Sequence, residues 1–128
     1  MKAQLGELDH IDIVVRDTEK TAQFLETLGF ARIRSSAERG AVELRLPGGP
    51  TAPFVELTPA VPVGGGAARP LGMRHLAFRS TALDALHAEM VATGLNVDGP
   101  PKDVVATGRR LFNFTDPDGA ILQVVSAD

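Results

Sequence analysis

The chain has 128 residues, 44% of them apolar, a formal net charge of −3 and no cysteine. That is enough chain to bury one core. It excludes disulfides, thiolate chemistry and a cysteine-based zinc site, and it leaves no basic field to attract nucleic acid. Tyrosine and tryptophan are absent too, so no tyrosine acid/base and no Trp or Tyr stacking wall is available. The segment from Met1 to Glu7 carries no apolar signal. No stretch approaches the roughly 18–20 apolar residues that a bilayer span needs. A cytoplasmic protein with no membrane or nucleic-acid partner is expected.

Residues 8–15, Leu-Asp-His-Ile-Asp-Ile-Val-Val, alternate as a strand does. Asp17-Thr18 opens a helix, because a side-chain oxygen there can cap unpaired backbone N–H groups. Ala22, Leu25 and Leu28, with Phe24 beside them, form its apolar stripe. Gly29 stands where a left-handed terminator belongs. Strands are predicted at about 30–36, 40–46 and 53–58, punctuated by Gly40 and by Pro47-Gly48-Gly49-Pro50.

The stretch 59–72 is rich in Pro, Gly and Ala around Gly64-Gly65-Gly66 and reads as a linker. It lacks the Lys and Ser/Thr of a phosphate-binding loop. A strand follows at 73–79, then a helix at about 81–93 with Leu83, Leu86 and Met90 on one face, then Gly94. Strands at about 95–98, 109–115 and 120–126 complete the order, the last two joined by the turn Asp116-Pro117-Asp118-Gly119.

The two halves repeat. His10 and His75 sit on equivalent strands, and a helix-ending glycine, Gly29 or Gly94, follows each of them at the same interval of 19 residues. The expected architecture is α+β: a single domain over 1–128 built of two βαβββ modules, at 8–58 and 73–126. The modules form a cupped, barrel-like mixed sheet with the helices outside. Strand alternation then sorts the side chains. His10, Asp12 and Val14 share the face opposite Ile11, Ile13 and Val15. Phe54, Glu56 and Thr58 oppose Val55 and Leu57. Glu43 and Arg45 point away from Val42, Leu44 and Leu46. His75, Ala77 and Arg79 lie opposite Leu76 and Phe78, and Ile121, Gln123 and Val125 lie opposite Leu122 and Val124.

The repeat also matches Glu56 with Gln123, each on the fourth strand of its half. Two imidazoles, a carboxylate and an amide oxygen suit a borderline divalent ion such as Zn, Ni or Fe. The substrate-binding candidates on the same face are Asp12, Glu43, Arg45, Phe54 and Arg79. Mid-helix His87 reads as a surface residue. Arg109-Arg110 beside Lys102 is too small a basic cluster for nucleic acid.

The motifs Leu8-Asp9-His10, Leu28-Gly29-Phe30, Phe54-Val55-Glu56-Leu57, Arg74-His75-Leu76-Ala77-Phe78 and Asp116-Pro117-Asp118-Gly119 resemble the vicinal oxygen chelate superfamily. That superfamily holds glyoxalase I, methylmalonyl-CoA epimerase, extradiol dioxygenases, fosfomycin-resistance enzymes and bleomycin-binding proteins. The resemblance covers nearly the whole chain and implies fold more strongly than reaction. Within it the chain is most similar to bacterial glyoxalase I, which implies His10, Glu56, His75 and Gln123 as metal ligands. Gln123 departs from the glutamate usual there, and it counts against the dioxygenases and fosfomycin enzymes. The activity implied is a metal-dependent lyase or isomerase. Glu56 would be its catalytic base, moving a proton through an enediolate on a small oxygenated substrate, free or conjugated to a thiol. The alternatives are a metal-free drug-binding protein of the bleomycin-resistance kind, or an acyl-CoA epimerase with Glu43 as its second carboxylate. A homodimer is expected, with the modules paired within one chain or between two.

Overall fold

The computed structural model describes residues 3–127. In chain order they form β1 (Leu8–Val15), α1 (Thr18–Thr27), β2 (Ala31–Ser36), β3 (Ala41–Arg45), β4 (Phe54–Pro59), β5 (Gly72–Ser80), α2 (Leu83–Thr93), β6 (Val97–Val104), β7 (Arg109–Thr115) and β8 (Ile121–Ser126). This is the β-α-β-β-β order, twice. Contacts divide the chain into one unit of His10–Arg74 and another made of the residues up to Asp9 and from His75 onward. The boundaries fall inside β1 and inside β5, so the first strand begins with the residues of the other unit.

In the unit His10–Arg74, β1 runs parallel to β4, while β3 is antiparallel to both β4 and β2. α1 supplies the crossover that a parallel pair needs. It starts where Asp17 accepts the backbone N–H of Lys20 at 3.0 Å and stops before Gly29, whose φ of +98° only glycine adopts cheaply. Its buried contact is Ala22, which packs with Val42, Leu44 and Leu57, and with Val15, Leu25 and Phe30 at the edge. Leu44 and Leu57 are at most 1% exposed, and fully burying such side chains contributes roughly 1.5–3 kcal/mol each. The helix stripe is narrower than the spacing predicts. Leu28 and Phe24 are 57% and 61% exposed: Leu28 is already the C-cap, and Phe24, two residues from buried Ala22, points about 200° away from it round the helix.

The second unit repeats the plan. β5 is parallel to β8, and β7 is antiparallel to β8 and β6. Leu83, Leu86 and Met90 of α2 meet Phe112 and Val124 in its core. Gly94 caps α2 in the left-handed conformation. The strand predicted at 95–98 proves longer, Val97–Val104, despite Gly99-Pro100-Pro101. Pairing skips between Asp98 and Lys102, and β6 is an edge strand, so the prolines interrupt no second ladder. His87 is half-buried rather than a surface residue: its Nε2 lies 2.8 Å from the Gly99 carbonyl and its ring meets Phe112 edge-on. Among the described residues no helix is long and apolar enough to cross a membrane.

Candidate functional site

The face of the first unit that turns away from α1 carries the chemistry. Register lines it up in rows. His10 is the partner of Phe54, and Phe54 of Arg45; Asp12 is the partner of Glu56, and Glu56 of Glu43. Three carboxylates therefore cross three adjacent strands in a single row. All are sheltered: Asp12 is 1% and Glu43 5% exposed, and the Glu56 side chain 12%.

Like charges directly across strands repel, and the chain answers with one arginine for each. Arg74 Nη1 lies 3.3 Å from Asp12 Oδ2, Arg34 Nε 3.7 Å from Glu43 Oε1, and Arg39 Nη1 3.2 Å from Glu56 Oε2. These arginines are half exposed, so the acids sit below and the guanidiniums above. Thr58 Oγ1 also donates to Asp12 Oδ1 at 2.6 Å. Burial pushes the Glu56 carboxyl above its ordinary range. Repulsion from Asp12 and Glu43 adds to this, and the positive fields of Arg39 and His10 oppose it. Glu56 thus holds a proton more readily than an exposed glutamate. His10, 6% exposed, stacks on Phe54 with ring centroids 4.7 Å apart.

The second unit repeats the diagonal that relates His10 to Glu56. His75 is the partner of Ile121, and Gln123 lies two residues along the same strand, opposite Ala77. Gln123 Nε2 donates to Asn113 Oδ1 at 3.0 Å, which leaves the Gln123 carbonyl as the end suited to a cation. Beside it a cavity of about 260 Å³ is lined by Asn96, Val97, Asp98, Asn113, Thr115 and Ile121. The expected ligands therefore come as two equivalent pairs, one per unit. Within neither unit do three His, Asp or Glu side chains stand together as a metal-holding group, among the described residues. The nitrogen and oxygen donors of the four residues suit a divalent ion chemically.

Two expected substrate contacts are committed elsewhere. Arg45 Nη1 donates to the Ala52 carbonyl at 2.6 Å. Arg79 Nε pairs with Asp9 Oδ1 at 3.1 Å. Arg109 holds the same Asp9 with two bonds of 2.9 Å and also binds the Ser126 carbonyl. Sequence reasoning did not find this buried ion pair, nor the partners Arg39 and Arg74. Asp9 is 100 positions from Arg109 and Asp12 62 from Arg74, and no local pattern marks such pairs.

A family model described as the Glyoxalase/Bleomycin resistance protein/Dioxygenase superfamily matches residues 7–124. The chain belongs to that superfamily. Among solved structures, methylmalonyl-CoA epimerase from Mycobacterium tuberculosis superposes with a TM-score of 0.81 at 20% identity, covering 100% of this chain and 92% of that one. A Streptomyces coelicolor methylmalonyl-CoA epimerase variant in complex with 2-nitronate-propionyl-CoA gives 0.78 at 21% identity, with 96% and 98% covered. A methylmalonyl-CoA epimerase with methylmalonyl-CoA and NH4+ also gives 0.78 at 21%, with 96% and 95% covered. At such identities the likeness shows the fold. No curated protein gives a significant match.

Proposed function

We propose that the chain moves a proton at a carbon next to a thioester carbonyl, interconverting the epimers of an acyl-CoA. One observation carries this reading: Glu43 and Glu56 are register partners on one sheet face, both sheltered from water. An epimerase needs one group to take the α-proton and another to return a proton to the opposite face of the planar intermediate; two sheltered carboxylates can share these roles when the intermediate is held edge-on to the sheet, with one face toward each. The similar epimerase structures, one of them with methylmalonyl-CoA, support the substrate class. The glyoxalase I-type reaction begins with the same abstraction but returns the proton to the neighbouring carbon, which needs one base. The Glu43–Glu56 pair favours the epimerase.

In this mechanism Glu56 is the proton acceptor, because burial and its acidic neighbours raise its proton affinity above that of an ordinary glutamate. Arg39 limits that rise and holds the carboxylate in place. Arg34 holds the Glu43 carboxylate across 3.7 Å. His10, Glu56, His75 and Gln123 are retained in the proposal as ligands of a divalent metal (Zn, Ni or Fe), with Glu56 off the ion or only weakly bound to it when it acts as the base. When bound, such an ion would supply Lewis acidity to the substrate carbonyl.

The test is deuterium exchange at the α-carbon of methylmalonyl-CoA, followed by NMR, for the wild type, Glu43→Gln and Glu56→Gln. Loss of epimerisation by at least 10²-fold in both variants, with their circular dichroism unchanged, is expected. Wild-type rates in either variant would remove the two-carboxylate mechanism.

A further inference from the structure

A second cavity lies in the first unit, next to the Asp12 end of the carboxylate row, whose counter-ion Arg74 forms part of its wall. Its volume is about 370 Å³, and Val14, Arg69, Pro70, Leu71, Met73 and Arg74 line it. That is the low end of the range for ligand pockets, room for a small molecule or for one end of a larger one. Its walls combine two chemistries. Arg69 and Arg74 contribute planar, permanently charged forks with five donors each. Arg69 Nη1 donates to a neutral carbonyl, that of Pro59, at 2.8 Å. Arg74 makes one long bond of 3.3 Å to Asp12. Both guanidiniums therefore keep donors for an incoming anion.

The remaining wall is apolar, and part of it stands in water: Leu71 is 47% and Met73 64% exposed. Val14, 3% exposed, closes the cavity floor. Large apolar side chains grouped around two cations are costly to leave uncovered. A purely polar anion would leave them wet, and a purely apolar molecule would cover the remaining guanidinium donors without giving them acceptors.

We propose that this cavity binds an anionic group, carboxylate or phosphate, carried on an apolar stem. The anion sits between Arg69 and Arg74, where a fork-to-oxygen pairing is geometrically favoured, and the stem lies along Leu71 and Met73. This site does not depend on the catalytic reading; it would serve a binding protein equally well.

Isothermal titration of the full chain with hexyl phosphate and with hexanoate tests it, with hexanol as the uncharged comparison. Binding of at least one anion is expected, and the tighter of the two identifies which head group the site prefers. Arg69→Gln should weaken that binding tenfold or more, and Arg69→Lys less. Met73→Gln, at an exposed position that tolerates change, should weaken hexyl phosphate or hexanoate binding by several-fold. Failure of both anions to bind, equal binding of hexanol, or unchanged affinity in a folded Arg69→Gln chain would overturn the assignment. Because the readout is heat of binding, a failure here stays separate from a failure of the epimerase test.

Discussion

Glu43 and Glu56 face each other directly across β3 and β4, with Asp12 next in line on β1. A fold selected only for stability would not put three sheltered acids side by side. The strain is offset by three arginines from three separate stretches of chain, each pairing with one acid. The arrangement keeps charge where a substrate could meet it, with compensation at the solvent edge.

That strain is measurable as pH dependence. The folded-state pKa of Glu56 lies above its ordinary value of 4.5. The folded chain therefore binds the proton more tightly than the unfolded chain does. The stabilising contribution is complete below pH 4.5 and is lost as pH rises through the raised pKa. Glu56→Gln, which cannot ionise, should gain in melting temperature relative to wild type between pH 4 and pH 7. Scanning calorimetry at both values checks this, and a gain that shrinks with rising pH would contradict it.

Leu44 has no exposed surface and packs in the core beneath α1. Leu44→Ala should cost roughly 2–5 kcal/mol, from lost transfer energy plus the cavity left behind. Urea denaturation gives the number. A loss well under 1 kcal/mol would mean the unit closes around the gap.

Asp9 is 4% exposed and held by Arg79 and Arg109. Asp9→Asn leaves two guanidiniums facing a neutral amide, and breaking a buried pair this way costs roughly 3–5 kcal/mol. The same denaturation experiment applies. Little change would show that water replaces the carboxylate easily.

If His10 and His75 ligate a divalent ion, His10→Ala and His75→Ala should each lower zinc or nickel affinity at least tenfold in equilibrium dialysis. Unaltered metal uptake in both variants would remove these two residues from the ligand set.

Short-range chemistry made much of this protein readable before any coordinates. The period of apolar residues, the Asp17 cap, the turn at Asp116–Gly119 and the duplicated strand–helix–glycine unit are encoded within a few residues of one another. They were enough to establish both helices and seven of the eight strands closely, while the family came from the resemblance of whole motifs such as Phe54-Val55-Glu56-Leu57 and was shown by the family model. The face assigned to Asp12, Glu43 and Glu56 followed from alternation alone, since side chains on a strand have only two directions to take.

Register and partnership were another matter. Nothing in the local pattern says that Glu43 stands opposite Glu56, that Arg74 reaches Asp12, or that Arg79 is drawn off to Asp9. Those pairings join positions far apart in the chain and depend on how strands slide past one another. The length of β6, expected only at about 95–98, is a case of the same kind: whether Pro100 and Pro101 break a strand depends on whether that strand has one neighbour or two. Composition and periodicity act along the chain, while charge compensation acts through space, so the elements could be read directly and the electrostatics of the site could not.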